Sequence, residues 1–260
     1  MLAFPAGLRA AETTDPIVFV GQLHSSAATF PDKLAVFADC VDRPRLFGKV
    51  EHQRYRIALP TGTRCTVFVG ERDWEALPLV VEDVATSVAL ALLVYPRQVP
   101  APVLARELLE LGRADQALRG EHARPNEPAA LERLRIGDEA RQQRLAAIVA
   151  AHGWPTLSMV GWEAANAAWL IAQHAPLARL KPWLGLMQDA ATRHEIAPYN
   201  LATSIDRVLV YEGRKQVYGT QHRPSEEGLG EPYPSEDMDR LGQRRVRAGL
   251  PRTQPHWKGL

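Results

Sequence analysis

The sequence predicts two joined units: an N-terminal antiparallel β-sandwich over residues 1–96 and a C-terminal, mainly α-helical domain with a small β-hairpin over 104–221. A proline-rich linker (97–103) joins them, and an extended C-terminal segment (222–260) follows. Three observations predict this. Apolar residues recur with period two from Ile17 to Tyr95, they recur with helical period from Leu104 onward, and Pro96, Pro100 and Pro102 separate the two patterns. A length of 260 residues suits two domains.

In the first unit Leu34, Val36, Ala38 and Cys40 share one face, as do Leu46, Gly48 and Val50, then Tyr55, Ile57 and Leu59, then Cys65, Val67 and Val69. Pro60-Thr-Gly62 and Val41-Asp-Arg-Pro44 supply tight connections. About six short strands at this spacing read as a sandwich. The stretch FGKVEHQRYRIALPTGTRCTVFV resembles the small immunoglobulin-like or transthyretin-like modules attached to other domains.

In the second unit, one stripe is Leu104, Leu108, Leu111 and Leu118. A second is Leu131, Leu134, Leu145 and Ile148, and a third is Val160, Ala164, Ala167 and Ile171. The third helix starts after Gly153-Trp-Pro155 and is apolar all round, so it is expected at the centre. Further helices are expected over Trp183–His194 and, briefly, near Asn200–Ile205. Val208–Tyr211 and Gln216–Tyr218, separated by Gly213, read as a hairpin.

Composition narrows the function classes. A net charge of +1 supplies no long-range field for a polyanion, so no nucleic-acid partner is expected. The run Ser87–Tyr95 is too short to span a bilayer, and the first fifteen residues do not read as a signal peptide, so no membrane partner is expected either. Cys40 and Cys65 are too few for a disulfide framework. They read as two buried thiols of a reduced, cytoplasmic protein, with one bridge in an exported form as the alternative. Phosphate-loop, dinucleotide, nucleophile-elbow and zinc-protease motifs are all missing from the sequence. No metal is assigned, although a set assembled from scattered His and Asp stays open, and the cofactor is unknown.

Residues that break the apolar pattern are the candidate site. Asp115 falls where the first stripe calls for an apolar residue, with Arg119 one turn on; Asp138 and Arg141 repeat the arrangement in the second. Glu163, Asn166, Gln173 and His174 share a face of the expected central helix, whose burial makes polar groups informative. Asp206 and Arg207 sit at a junction of elements, and Tyr218-Gly-Thr-Gln221 follows.

Taken in order, Asp115-Gln116 with Arg119, Asp138, Gly153-Trp-Pro155, Gly161, Gln173-His174-Ala175, Asp206-Arg207-Val208, Gln216, Tyr218-Gly-Thr-Gln221 and Arg245 ahead of Gly249-Leu250 resemble an uncharacterised bacterial domain family over about residues 104–250. The resemblance carries no activity. After Leu250 the segment lacks the tyrosine that would close the family pattern.

Read from their chemistry, these residues suggest a hydrolase or group-transfer enzyme acting on a small polar ligand. His174 is the expected acid–base group, oriented by Asp206 or Asp138. Asp115, Arg119, Gln173, Arg207, Tyr218 and Gln221 are expected to contact substrate, with Arg119 or Arg207 holding an anionic group. The alternative is a binding module in which the same residues form a buried network and the β unit offers an edge to a protein partner.

Overall fold

The computed structural model describes residues 16–25, 33–71, 73–77, 79–81, 92–122, 128–225, 228–250 and 252. The first fifteen residues, the greater part of the Ser87–Tyr95 run and most of the segment after Leu250 therefore lie outside the described residues.

The N-terminal unit contains β1 (Ile17–His24), β2 (Ala35–Cys40), β3 (Leu46–Phe47), β4 (Lys49–Glu51), β5 (Arg54–Leu59), β6 (Cys65–Glu71), β7 (Trp74–Ala76), β8 (Leu79–Val81) and β9 (Leu92–Pro96). They form one sheet in the order β3-β2-β6-β7-β9-β1-β5-β4, with β8 added to β6. All the pairings are antiparallel except that of β1 with β9.

Period-two alternation does set the faces: Val36, Ala38, Tyr55, Ile57, Leu59, Cys65, Val67 and Val69 are all buried. Of these, each buried Val, Leu or Ile side chain contributes roughly 1.5–3 kcal/mol. The sheet, however, curls on itself and is nearly closed like a barrel. Its two end strands, β3 and β4, are consecutive pieces of chain meeting at Gly48, whose N–H donates to Val36 O at 2.8 Å. A β-carbon on Gly48 would lie 2.2 Å from the Arg56 carbonyl oxygen, so only glycine lets the chain pass from one edge to the other.

Cys40 and Cys65 are direct partners in the β2–β6 register and are joined by a disulfide, which corrects the expectation of two free thiols. The bridge closes a loop with a sequence separation of 25. By chain entropy its loss costs about 3 kcal/mol. Denaturant unfolding with and without dithiothreitol should show a midpoint drop of that size; coincident curves would contradict it.

The C-terminal unit contains α1 (Pro102–His122), α2 (Pro128–His152), α3 (Leu157–Val160), α4 (Trp162–Gln173), α5 (Leu177–Thr192), α6 (Pro198–Tyr211), β10 (His222–Ser225), β11 (Gly228–Pro232) and α7 (Met238–Arg247). Pro198 opens α6, where its missing N–H is harmless and its fixed φ is already helical. The single third helix expected from periodicity is split into α3 and α4 by Gly161, which has φ +80°. The largely apolar α4 is central as expected, with Ala164, Ala168, Ile171 and Ala172 buried. It crosses α1 closely, because a β-carbon on Gly112 would stand 2.6 Å from that of Ala167.

Two placements differ from the sequence reading. Val208–Tyr211 is the last turn of α6 and not a strand, and Gly213 (φ +72°) ends that helix. The small hairpin is β10–β11, which with α7 occupies the segment expected to be extended. Leu131, expected in the second apolar stripe, is exposed.

The helical core also takes in Leu77, Leu93 and Tyr95 from the sheet, packed with residues such as Leu108, Ile148 and Ala164. At the same seam the rings of His24 and His194 stack with centroids 4.3 Å apart.

Candidate functional site

Three helices bring one charged cluster together. Asp115 on α1 is 1% exposed, and Arg119, one turn on, donates to both its oxygens, Nε to Oδ2 at 3.0 Å and Nη2 to Oδ1 at 3.1 Å. Arg119 Nη2 and Arg141 Nη2 each donate to Asp138 Oδ1 at 2.7 Å, and Arg141 Nε lies 3.4 Å from Asp115 Oδ1. The Asp115–Arg119 and Asp138–Arg141 pairs are thus fused into one network. Gly137 makes room for it, since a β-carbon there would stand 2.7 Å from Arg141 Nη1. A glycine inside a helix costs about 1 kcal/mol relative to alanine.

His174 caps the C-terminal end of α4. Its side chain is 25% exposed and its Nδ1 lies 3.6 Å from Asp115 Oδ2. Nδ1 is buried without a hydrogen-bond partner, so the part of the ring that meets solvent is the other edge. Gln142 of α2 donates from Nε2 to His174 O at 3.1 Å and accepts from Arg179 Nη1 at 3.0 Å, which fixes the backbone that carries the ring.

Electrostatics follow from this packing. Burial alone pushes the Asp115 carboxyl up, but His174 and Arg119 outweigh it and hold it at about 2. Its ordinary value is 3.8, so the folded pKa is the lower one. The stabilisation is then present above pH 4 and lost as pH falls toward 2, on the order of 2 kcal/mol in total. Other paired carboxylates also lose stabilisation in acid, so the reading is a difference: from pH 5 to 2 the unfolding free energy of the native protein should fall by about 2 kcal/mol more than that of Asp115→Asn. Equal slopes would contradict the assignment.

A second cluster surrounds Asp206. This α6 carboxylate is fully buried and accepts hydrogen bonds from Val217 N (2.7 Å), Tyr218 N (3.0 Å), Thr220 N (2.9 Å) and Thr220 Oγ1 (2.9 Å). Gln216 accepts from Gln221 N at 2.9 Å and donates to Tyr233 O at 2.6 Å. From α7, Arg245 Nη1 donates to Tyr218 O at 2.7 Å and Gly219 O at 3.1 Å. Burial, then the neighbouring Asp206 charge, raises the Tyr218 phenol. The Tyr-Gly-Thr-Gln segment is therefore a loop wrapped around a carboxylate and pinned by an arginine.

Asp115, Arg119, Asp138 and His174 come together, whereas Asp206, Tyr218 and Gln221 belong to this second network. Asp206, expected to orient His174, is spent on backbone N–H groups, and Asp138 is spent on Arg119 and Arg141. Asp115, expected to touch substrate, is the carboxylate beside the imidazole. Between the clusters, Gln173 Nε2 donates to Ser204 Oγ at 2.6 Å and Arg207 Nη1 donates to Gln173 O at 2.6 Å. Gln173 Oε1 and Arg207 Nε are buried without partners. Gln221 reaches Thr220 Oγ1 at 3.1 Å and Thr203 O at 3.5 Å. Among the described residues no group of three or more His, Cys, Asp or Glu is placed to hold a metal ion. None of them forms a helix long and apolar enough to cross a membrane.

Arg141 is marked in the sequence only as the neighbour of Asp138, without a stated role, and Gln142 is not marked at all. Gly137, breaking helix propensity one turn before Arg141, was the available signal for the first.

Fold and site together define a mainly helical C-terminal region organised by a carboxylate–arginine network beside a half-open histidine, preceded by a region of mostly strands. Residues 102–258, beginning at the first residue of α1, match the model of a family of unknown function, DUF6624, and the chain belongs to that family. No curated protein and no solved structure matches the chain.

Proposed function

We propose that the helical domain is an enzyme using His174 as general acid–base in hydrolysis or group transfer on a small polar substrate. One observation carries this reading: the imidazole lies with one nitrogen against the buried Asp115 and its other edge toward solvent. A carboxylate in that position favours the tautomer with the proton on Nδ1 and stabilises the imidazolium formed when Nε2 takes a proton. Arg119, Arg141 and Asp138 hold Asp115 in place. Arg207, which has no carboxylate partner among the described residues and is held by its bond to Gln173 O, is the cation suited to an anionic group on the substrate. In this reading Asp206, Tyr218 and Gln221 are scaffold, and the buried network of the alternative reading describes their half of the domain.

The division into two domains near residue 97 belongs to the same proposal. Cytoplasmic placement loses the support it drew from reduced thiols, because disulfides persist in oxidising compartments. A panel of aryl phosphate esters, phosphodiesters and carboxylate esters, assayed with native protein, His174→Ala and Asp115→Asn, tests the proposal. Turnover by the native protein that both variants lose supports it. No turnover on any of them, or turnover retained by His174→Ala, counts against it.

A further inference from the structure

A cleft of about 720 Å³ opens between the sheet and α4, lined by residues of β6, β7 and β9 on one side and by Val160–Ala164 on the other. It shares no residue with the His174 cluster. That volume is typical of small-molecule sites.

Its lining decides the chemistry. Glu71, Glu75 and Glu163 supply three carboxylates against the single guanidinium of Arg97. Arg97 is already paired with Glu75 at 3.3 Å, and burial, then the same Glu75 charge, raises the Tyr95 phenol. That leaves Glu71 and Glu163 as negative charge that no ion pair among the described residues compensates. The first residues of α4 also line the cleft, but a helix N-terminus is equivalent to about half a positive charge, less than either glutamate. Phe68 and Trp162 provide aromatic surface, and the Trp162 ring is held edge-on to Tyr199 at 5.9 Å. Aromatic faces beside carboxylates suit a cation carried on an apolar body.

We infer that this cleft binds an organic cation, an ammonium or guanidinium group on an apolar or aromatic body, with Glu163 and Glu71 facing the charge and Trp162 and Phe68 facing the body. An inorganic cation is not the fit, since no metal-holding group of side chains forms among the described residues.

Benzylammonium is the probe, with phenylacetate and benzyl alcohol as charge-reversed and neutral controls, titrated calorimetrically into the full chain. The expected result is saturable benzylammonium binding, with neither control binding as tightly. Glu163→Gln weakens it about fivefold and the Glu71→Gln/Glu163→Gln pair further, the size of one or two partly screened charges. Glu163 is on the surface, so its replacement leaves the fold intact, which an unchanged melting temperature without ligand verifies. Absence of saturable benzylammonium binding, phenylacetate binding as well as the amine, or full affinity in the double variant each overturns the inference. None of these outcomes bears on His174, whose test is turnover.

Discussion

Asp206→Ala should cost about 4 kcal/mol of stability, because it leaves three backbone N–H groups and a threonine hydroxyl without their acceptor in a buried place. Arg245 would lose the nearby charge that offsets its own burial, which already depresses the guanidinium pKa. Against a typical total of about 5–15 kcal/mol, such a loss brings the domain close to unfolding at ambient temperature. Urea unfolding followed by far-UV circular dichroism reads this directly. A midpoint equivalent to less than about 1 kcal/mol of destabilisation would mean that water replaces the carboxylate and the loop is not organised by it.

His174→Ala should behave in the opposite way. Its partly exposed ring meets Asp115 only at 3.6 Å, Arg119 and Arg141 stay on that carboxylate when the ring is removed, and the backbone, which Gln142 holds, is unchanged by the substitution. Stability should therefore shift by roughly 1 kcal/mol or less. Activity should fall by about 10²–10⁴, the ordinary contribution of a positioned acid–base group. His174→Gln should not restore it, since an amide cannot carry the proton. Comparing the melting temperature with turnover for the same two preparations separates the catalytic reading from a structural one; a variant that loses both together would place His174 in the scaffold.

The two halves of the charged set differ in how far the sequence reveals them. Asp115 stands out because a carboxylate interrupts an apolar stripe, and its partner Arg119 lies one helical turn away, so a local rule finds the pair. The strand faces were legible for the same reason, as Tyr55, Ile57 and Leu59 alternate within six residues. What pairs across the chain left no such trace. The Cys40–Cys65 bridge and the closure at Gly48 depend on which strands become neighbours, and strand alternation is silent on neighbours. Asp206 stands apart from His174 without a trace in the sequence, because its partners are backbone N–H groups of a loop, which any residue except proline supplies. Val208–Tyr211 reads as a strand because four apolar residues fit either period; only the contiguous stripe from Ala202 through Val208 and Leu209 makes them helical.

The pairing of His174 with Asp115 is the central claim, and nitrogen-15 NMR of histidine-labelled protein tests it without any substrate. At a pH where the ring is neutral, the proton should reside on Nδ1, facing the carboxylate, and Asp115→Asn should remove that preference. A His174 signal showing the proton on Nε2 in the native protein, unchanged in the variant, would contradict the account.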